Sequence, residues 1–215
     1  MRKRFTRWIL AWFLVAAVPS CISLGTAAAT GQGDTACPTD TPLATALQAT
    51  GPDPSLGDQA TAFGRLIGTW DVEYTDFSKD GKVIHRLGEL TFGWVLDGHV
   101  MQDLWVVYPS AGRKAREVYT YLLYFNPKSG TWAAVFLDPE DASFATFKGG
   151  ASGNDRIVLD SRDLVAGQIH RWSFNDIRGD SMVFRDDASS DGGKTWTPKS
   201  EDHMKRRGEG PPAQQ

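Results

Sequence analysis

Cysteine is nearly absent. Cys21 and Cys37 are the two in 215 residues, which excludes a disulfide framework and a Cys-rich zinc module. A positive excess is missing as well. Lys and Arg number 23 against 26 Asp and Glu, so the basic surface of a nucleic-acid binder is not there. The four histidines, His85, His99, His170 and His203, show no H-x-x-x-H or H-E-x-x-H spacing, and no metal site is expected. No nucleophile elbow and no phosphate-cradling glycine loop between a strand and a helix can be found. What is present is a hydrophobic content of 41%, enough for a packed core and too much for a disordered chain.

The N-terminus carries an address. Met1-Arg2-Lys3-Arg4 and Arg7 precede an uncharged run from Trp8 to Ala29 that closes on Ala27-Ala28-Ala29. A basic start, an apolar centre and small residues at the end are the pattern of a secretory signal peptide, residues 1–29, cut after Ala29. Two other readings use the same residues: an uncleaved bilayer anchor, against which Pro19 counts, and a lipoprotein box at Val18-Pro19-Ser20-Cys21 that lipidates Cys21. Each predicts a periplasmic or secreted protein. Loss of Arg2, Lys3, Arg4 and Arg7 leaves 19 basic and 26 acidic side chains, a net charge of −7. Such a chain gains nothing from nucleic acid or anionic lipid, and it meets a membrane only through an uncleaved leader or a lipidated Cys21. Cys37 is then an isolated thiol in a polar stretch.

Residues 30–57 are rich in Thr, Ala, Pro, Gly and Asp and read as a flexible linker with at most a short helix within 43–49. Ala62, Phe63, Leu66 and Ile67 are spaced for a short amphipathic helix that leads into a first strand. From Gly68 the period changes to two: Trp70, Val72 and Tyr74 alternate with Asp71, Glu73 and Thr75. Turn sequences recur at Asp80-Gly81, Asp97-Gly98, Asn126-Pro127, Asn154-Asp155, Gly179-Asp180 and Asp191-Gly192. About nine to ten short strands joined by such turns predict an all-β antiparallel meander. Even hairpin spacing favours an up-and-down β-barrel over residues 58–207, which also removes exposed edges. Residues 208–215 form a disordered tail.

One hairpin can be put in register. A two-residue Asp97-Gly98 turn sets Leu96 opposite His99, and then Trp94 opposite Met101, Phe92 opposite Asp103 and Leu90 opposite Trp105. This aromatic face is the expected interior, and it places the Asp103 carboxylate among aromatic rings. There it needs a hydrogen-bonding partner or a raised pKa.

Gly68-Thr69-Trp70 opens the first strand after the helix, where lipocalin-like barrels carry G-x-W, although Gly130-Thr131-Trp132 repeats the triplet. The segments Leu66–Glu73, Phe92–Trp105, Phe125–Trp132 and Asp191–Trp196 resemble an uncharacterised bacterial family of lipocalin-like (calycin-type) barrels. The resemblance spans nearly all of residues 60–207. It implies the fold and no established activity, so it carries over no catalytic residues. More distantly the chain is similar to nitrobindin-like barrels, which begin with G-T-W and hold haem through a histidine on a late strand. His203 stands at a comparable position, but its parity with Thr197, Lys199 and Lys205 points outward unless a bulge after Pro198 reverses it. His170 shares parity with Trp172 and Phe174 and suits the interior better. Haem is therefore an alternative, and no cofactor is the primary expectation.

Ser189–Trp196 fits the Asp-box pattern S-x-D-x-G-x-T-W. A single copy cannot build a propeller, so it reads as a structural hairpin. Arg178-Gly179-Asp180 reads as ordinary turn chemistry. Tyr119, Tyr121, Leu123 and Phe125 share a face that ends at Glu117, a ladder suited to a selective pocket or to a filled core. The functional expectation is a small, partly apolar ligand bound in the barrel by Trp94, Asp103, Tyr119, Tyr121, His170 and Trp172. Three alternatives stand beside it: a hydrolase- or isomerase-type enzyme using an Asp103/His170 pair, the haem-binding barrel, and a filled barrel that acts as an envelope interaction module.

Overall fold

The computed structural model describes residues 41–112, 114–161 and 167–208. The expected leader, Cys21, Cys37, the first part of the linker and residues 209–215 of the tail lie outside them. Ten antiparallel strands close into one barrel in the order β1-β10-β9-β8-β7-β6-β5-β4-β3-β2. Each strand therefore pairs with its sequence neighbours, and β1 closes on β10, the up-and-down topology expected from the hairpin spacing. The strands are β1 Gly68–Phe77, β2 Val83–Val95, β3 Val100–Val107, β4 Glu117–Asn126 and β5 Thr131–Asp138. They continue with β6 Ser143–Ala151, β7 Ile157–Ser161, β8 Ile169–Asn175, β9 Ser181–Ser189 and β10 Thr197–Arg206.

The period-two pattern decides which side chains face inward. On β1, Trp70, Val72 and Tyr74 are buried while Asp71 and Glu73 are exposed. The β2–β3 register is the expected one: Trp94 pairs with Met101, Phe92 with Asp103, and Leu90 with Trp105. The turn itself is longer. Leu96, Asp97 and Gly98 all have positive φ, at 51°, 56° and 84°. Gly98 N–H donates to Val95 O and His99 N–H to Leu96 O, each at 3.1 Å. Two overlapping turns thus replace the single two-residue turn, and pairing stops at Val95 and Val100. The reason lies outside the hairpin: Leu96 N–H is drawn to Ala46 O at 2.7 Å. The barrel wall also requires glycine where strands press close. A Cβ at Gly88 would stand 2.0 Å from Val106 O, well inside van der Waals contact.

One end of the barrel is sealed. Helix α2, Gln59–Gly64, delivers Phe63 and Leu66 to full burial. Trp70 donates from its indole N–H to Leu66 O at 2.8 Å, and Phe63 packs on Trp132 with ring centroids 4.5 Å apart. The tryptophans of both G-T-W triplets therefore close the same end. Arg206, the last residue of β10, lies over Trp70 with its guanidinium carbon 4.0 Å from the ring centroid. Its side chain donates to the carbonyls of Ile67, Arg65 and Gly179, which ties the helix exit and the Arg178-Gly179-Asp180 turn to the barrel.

Residues 41–57, expected as linker, are ordered against this same end. Helix α1, Pro42–Ala46, is followed by an isolated bridge from Ala49 to Trp94. Asp53 N–H donates to Gly98 O at 3.0 Å, and Leu56 is buried. Backbone hydrogen bonds to the β2–β3 turn hold this stretch, and hydropathy patterning does not register such bonds.

Candidate ligand-binding cavity

The opposite end is built differently. The inward rows turn polar towards it: Tyr74 is followed by Asp76 on β1, and Phe184 by Asp186 on β9. These ends enclose a cavity of ≈ 400 Å³. Its wall includes Tyr74, Trp105, Tyr121, Phe136, Trp172 and Phe184. The rings are mutually braced. Trp105 stacks on Tyr119 at 5.7 Å, and Tyr121 meets Trp172 edge-on at 4.5 Å. A larger hollow of ≈ 600 Å³ lies along β1, β9 and β10. Asp71, Glu73, His203 and Lys205 on its border face outward, so it is a surface groove and not the barrel interior.

Polar groups are set into the aromatic wall in two places. On β8 and β9, His170 Nδ1 pairs with Asp186 at 2.8 Å. The pairing is diagonal, because Trp172 and not His170 is the register partner of Asp186. An Nδ1–carboxylate contact fixes the ring and leaves Nε2 as the nitrogen that can meet a ligand. On β2, β1 and β10, Arg86, Tyr74 and Asp202 form one cross-strand row. Arg86 is clamped by Asp76 and Glu117, each at 2.6 Å. Burial works against its charge, but the two carboxylates outweigh burial and raise its pKa. Asp202 is 3% exposed, and its carboxylate accepts from Thr75 N–H at 3.3 Å. Burial pushes that carboxyl well above the usual range. Three buried polar atoms at the cavity have no hydrogen-bond partner: Tyr74 Oη, Arg86 Nε and Trp105 Nε1. Buried polar groups are normally satisfied, so three together mark a place where solvent or a ligand completes the structure.

The expected site residues divide by height along the barrel. Tyr119, Tyr121, His170 and Trp172 line the cavity. Burial holds both tyrosine hydroxyls well above their ordinary pKa, so they act as neutral hydrogen-bonding groups. Asp103 faces inward as its register required and is 2% exposed, but it does not line the cavity. It sits behind Tyr121, whose backbone N–H donates to it at 2.8 Å. Burial raises its pKa strongly; the Trp105 indole acts against that shift without closing a hydrogen bond of normal geometry. Trp94 belongs to the sealed end, beside Ala49. His170 takes its carboxylate partner from Asp186, so the Asp103/His170 pairing of the enzyme alternative gives way to His170/Asp186. His203 is exposed and contacts Glu201 at 3.1 Å, even though the bulge between Pro198 and Ser200 is present. The bulge turns the start of β10 instead, setting Thr197 opposite the buried Ala188, while His203 pairs with outward Glu73 and Val183. Among the described residues, no group of three or more His, Cys, Asp or Glu is arranged to hold a metal ion.

The Asp-box hairpin closes on itself. Asp191 accepts from Lys194 N–H, Thr195 N–H and the Thr195 hydroxyl, and Ser189 Oγ accepts from Gly193 N–H. Those bonds lower the Asp191 pKa. Trp196 packs under Arg171 at 4.1 Å. The motif is spent on its own turn.

No family model matches the chain, and no curated protein matches it significantly. Solved structures do. The crystal structure of Rv2717c from M. tuberculosis is similar over 73% of this chain and 99% of that one, with a TM-score of 0.55 and 18% identity. The S-type phycobiliprotein lyase CPES from Guillardia theta is similar over 69% and 92%, with a TM-score of 0.51 and 9% identity. At such identities the likeness is one of fold, and the fold it supports is a closed, ten-stranded, lipocalin-like barrel of the calycin type.

Proposed function

We propose that this chain is an exported member of a bacterial group of lipocalin-like barrels and that it binds a small, partly apolar molecule in the open end. The observation that carries this reading is the ≈ 400 Å³ interior cavity, whose wall combines aromatic rings with carboxylate, guanidinium and imidazole groups. In such a cavity the rings supply contact area and the polar groups orient a ligand. Export rests on the leader pattern of residues 1–29. The His170–Asp186 pair at 2.8 Å favours one second reading, acid–base chemistry on the bound molecule. In that case His170→Gln abolishes turnover and leaves binding in place.

Native mass spectrometry of the chain beginning at Thr30, purified from an exported preparation, tests the binding reading. A discrete adduct is expected, one that is lost on Trp172→Ala. A bare mass that stays bare after incubation with an extract of the producing cells contradicts it.

A further inference from the structure

The charge inside the cavity is unbalanced. Five aspartates line it, Asp76, Asp138, Asp141, Asp186 and Asp202, against Arg86 and His170. Both cationic side chains already face carboxylates. Arg86 is clamped between Asp76 and Glu117, and His170 is held by Asp186. Asp202 forms no ion pair among the described residues, the Arg86 charge acting on it without contact, although it is 3% exposed. Its one hydrogen bond is the 3.3 Å contact from Thr75 N–H. Beside it in the cross-strand row is Tyr74, whose buried hydroxyl has the Tyr119 hydroxyl near it but closes no hydrogen bond of normal geometry. A buried carboxyl and, beside it, a hydroxyl that closes no hydrogen bond leave acceptor oxygens that a ligand donor can fill. Around them stand the faces and edges of Trp105, Tyr121, Phe136, Trp172 and Phe184. Aromatic faces attract cations, the more so out of water.

Resting on the ligand-binding reading above, we propose that the cavity takes a protonated amine with an apolar body. Its ammonium group is set against Asp202 and Tyr74 Oη, and its body lies among the rings. Burial holds the Asp202 carboxyl above the usual carboxylate range despite the nearby Arg86 charge; an ammonium in contact with it supplies the direct counter-ion it lacks. An anion meets the opposite situation, since the Arg86 charge is already neutralised by two carboxylates.

Three probes that share one body and differ in charge test this: 2-phenylethylamine, 2-phenylethanol and phenylacetate. Each is titrated into the chain from Thr30 at pH 7, followed by tryptophan fluorescence and by calorimetry. The amine is expected to bind at least about tenfold more tightly than the alcohol, about 1.4 kcal/mol, and phenylacetate more weakly than either. Asp202→Asn keeps an acceptor for Thr75 N–H and is expected to erase the preference for amine over alcohol. Tyr74→Phe, which removes a hydroxyl that closes no hydrogen bond of normal geometry, is expected to weaken amine binding and leave the folded state intact by near-UV circular dichroism. Equal or tighter binding of the alcohol or of phenylacetate overturns the amine assignment and leaves a ligand-binding barrel standing. So does an amine preference that survives in both variants. If none of the three binds, the amine assignment falls, while the adduct measurement decides separately whether the barrel carries a ligand.

Discussion

Arg206→Ala is expected to destabilise the barrel by about 3 kcal/mol, the sum of lost charge-assisted hydrogen bonds and a lost cation–π contact after allowance for solvent. One guanidinium holds three carbonyls, those of Arg65, Ile67 and Gly179, and covers the ring of Trp70. It joins segments more than 100 residues apart in sequence, 141 in the case of Arg65. Arg207 adds ion pairs from the same strand end to Asp71 and Glu89 on the outer face, so the loss of Arg206 falls on the helix exit and on Trp70. Arg206→Lys keeps the charge and loses the planar fork, and should retain less than half of the contribution. Urea unfolding of the three proteins measures this. A lowered midpoint at unchanged slope is expected; a midpoint within experimental error of the wild type shows that the sealed end is held by its apolar residues alone.

The second large effect is a dependence of stability on pH. Asp103 and Asp202 both have pKa values raised by burial in the folded protein. A carboxyl raised in this way is protonated when folded at pH values where the unfolded chain is ionised. Its stability contribution is complete below the unfolded value of about 4 and declines as pH rises towards the folded value. Each group contributes a slope of up to about 1.4 kcal/mol per pH unit within its window. Asp191, Asp53 and Asp80 have lowered values. They are ionised in both states above that range and add no slope there. The barrel is therefore expected to be more stable at pH 5 than at pH 8. Asp103→Asn keeps an oxygen for Tyr121 N–H and removes one carboxyl from the slope. Denaturant midpoints across pH 4 to 9 provide the check. An unchanged slope in the variant contradicts the burial of Asp103 as an uncompensated carboxyl.

The fold was largely legible because its signals are local. Period two assigned faces, and Asp-Gly and Asn-Pro pairs marked turns. A single register derived from residues 97 and 98 placed Asp103 inside. Parity reports the face of a residue and says nothing of its height in the barrel. Trp94 and Leu90 share a face, yet Trp94 lies at the sealed end, while Trp105, opposite Leu90, reaches the cavity. Asp76, Arg86, Asp186 and Asp202 stand on inward rows and could have been found by extending those rows to the strand ends. The row Arg86–Tyr74–Asp202 crosses from β2 to β10, and its alignment depends on the closure of a barrel whose first and last strands are more than 100 residues apart. The His170–Asp186 contact is diagonal, so the opposite-partner rule that located Asp103 does not reveal it.

The central claim is that this barrel is hollow at one end. A crystal structure of the chain from Thr30, at a resolution that shows ordered water, tests it directly. The expected result is a space bounded by Tyr74, Tyr121, His170 and Asp202 that holds density for solvent or a bound molecule within hydrogen-bonding distance of Tyr74 Oη. Trp172, Phe136 or Tyr119 rotated inward to fill that space, with Tyr74 Oη bonded to protein, would contradict the account and make the barrel a filled one.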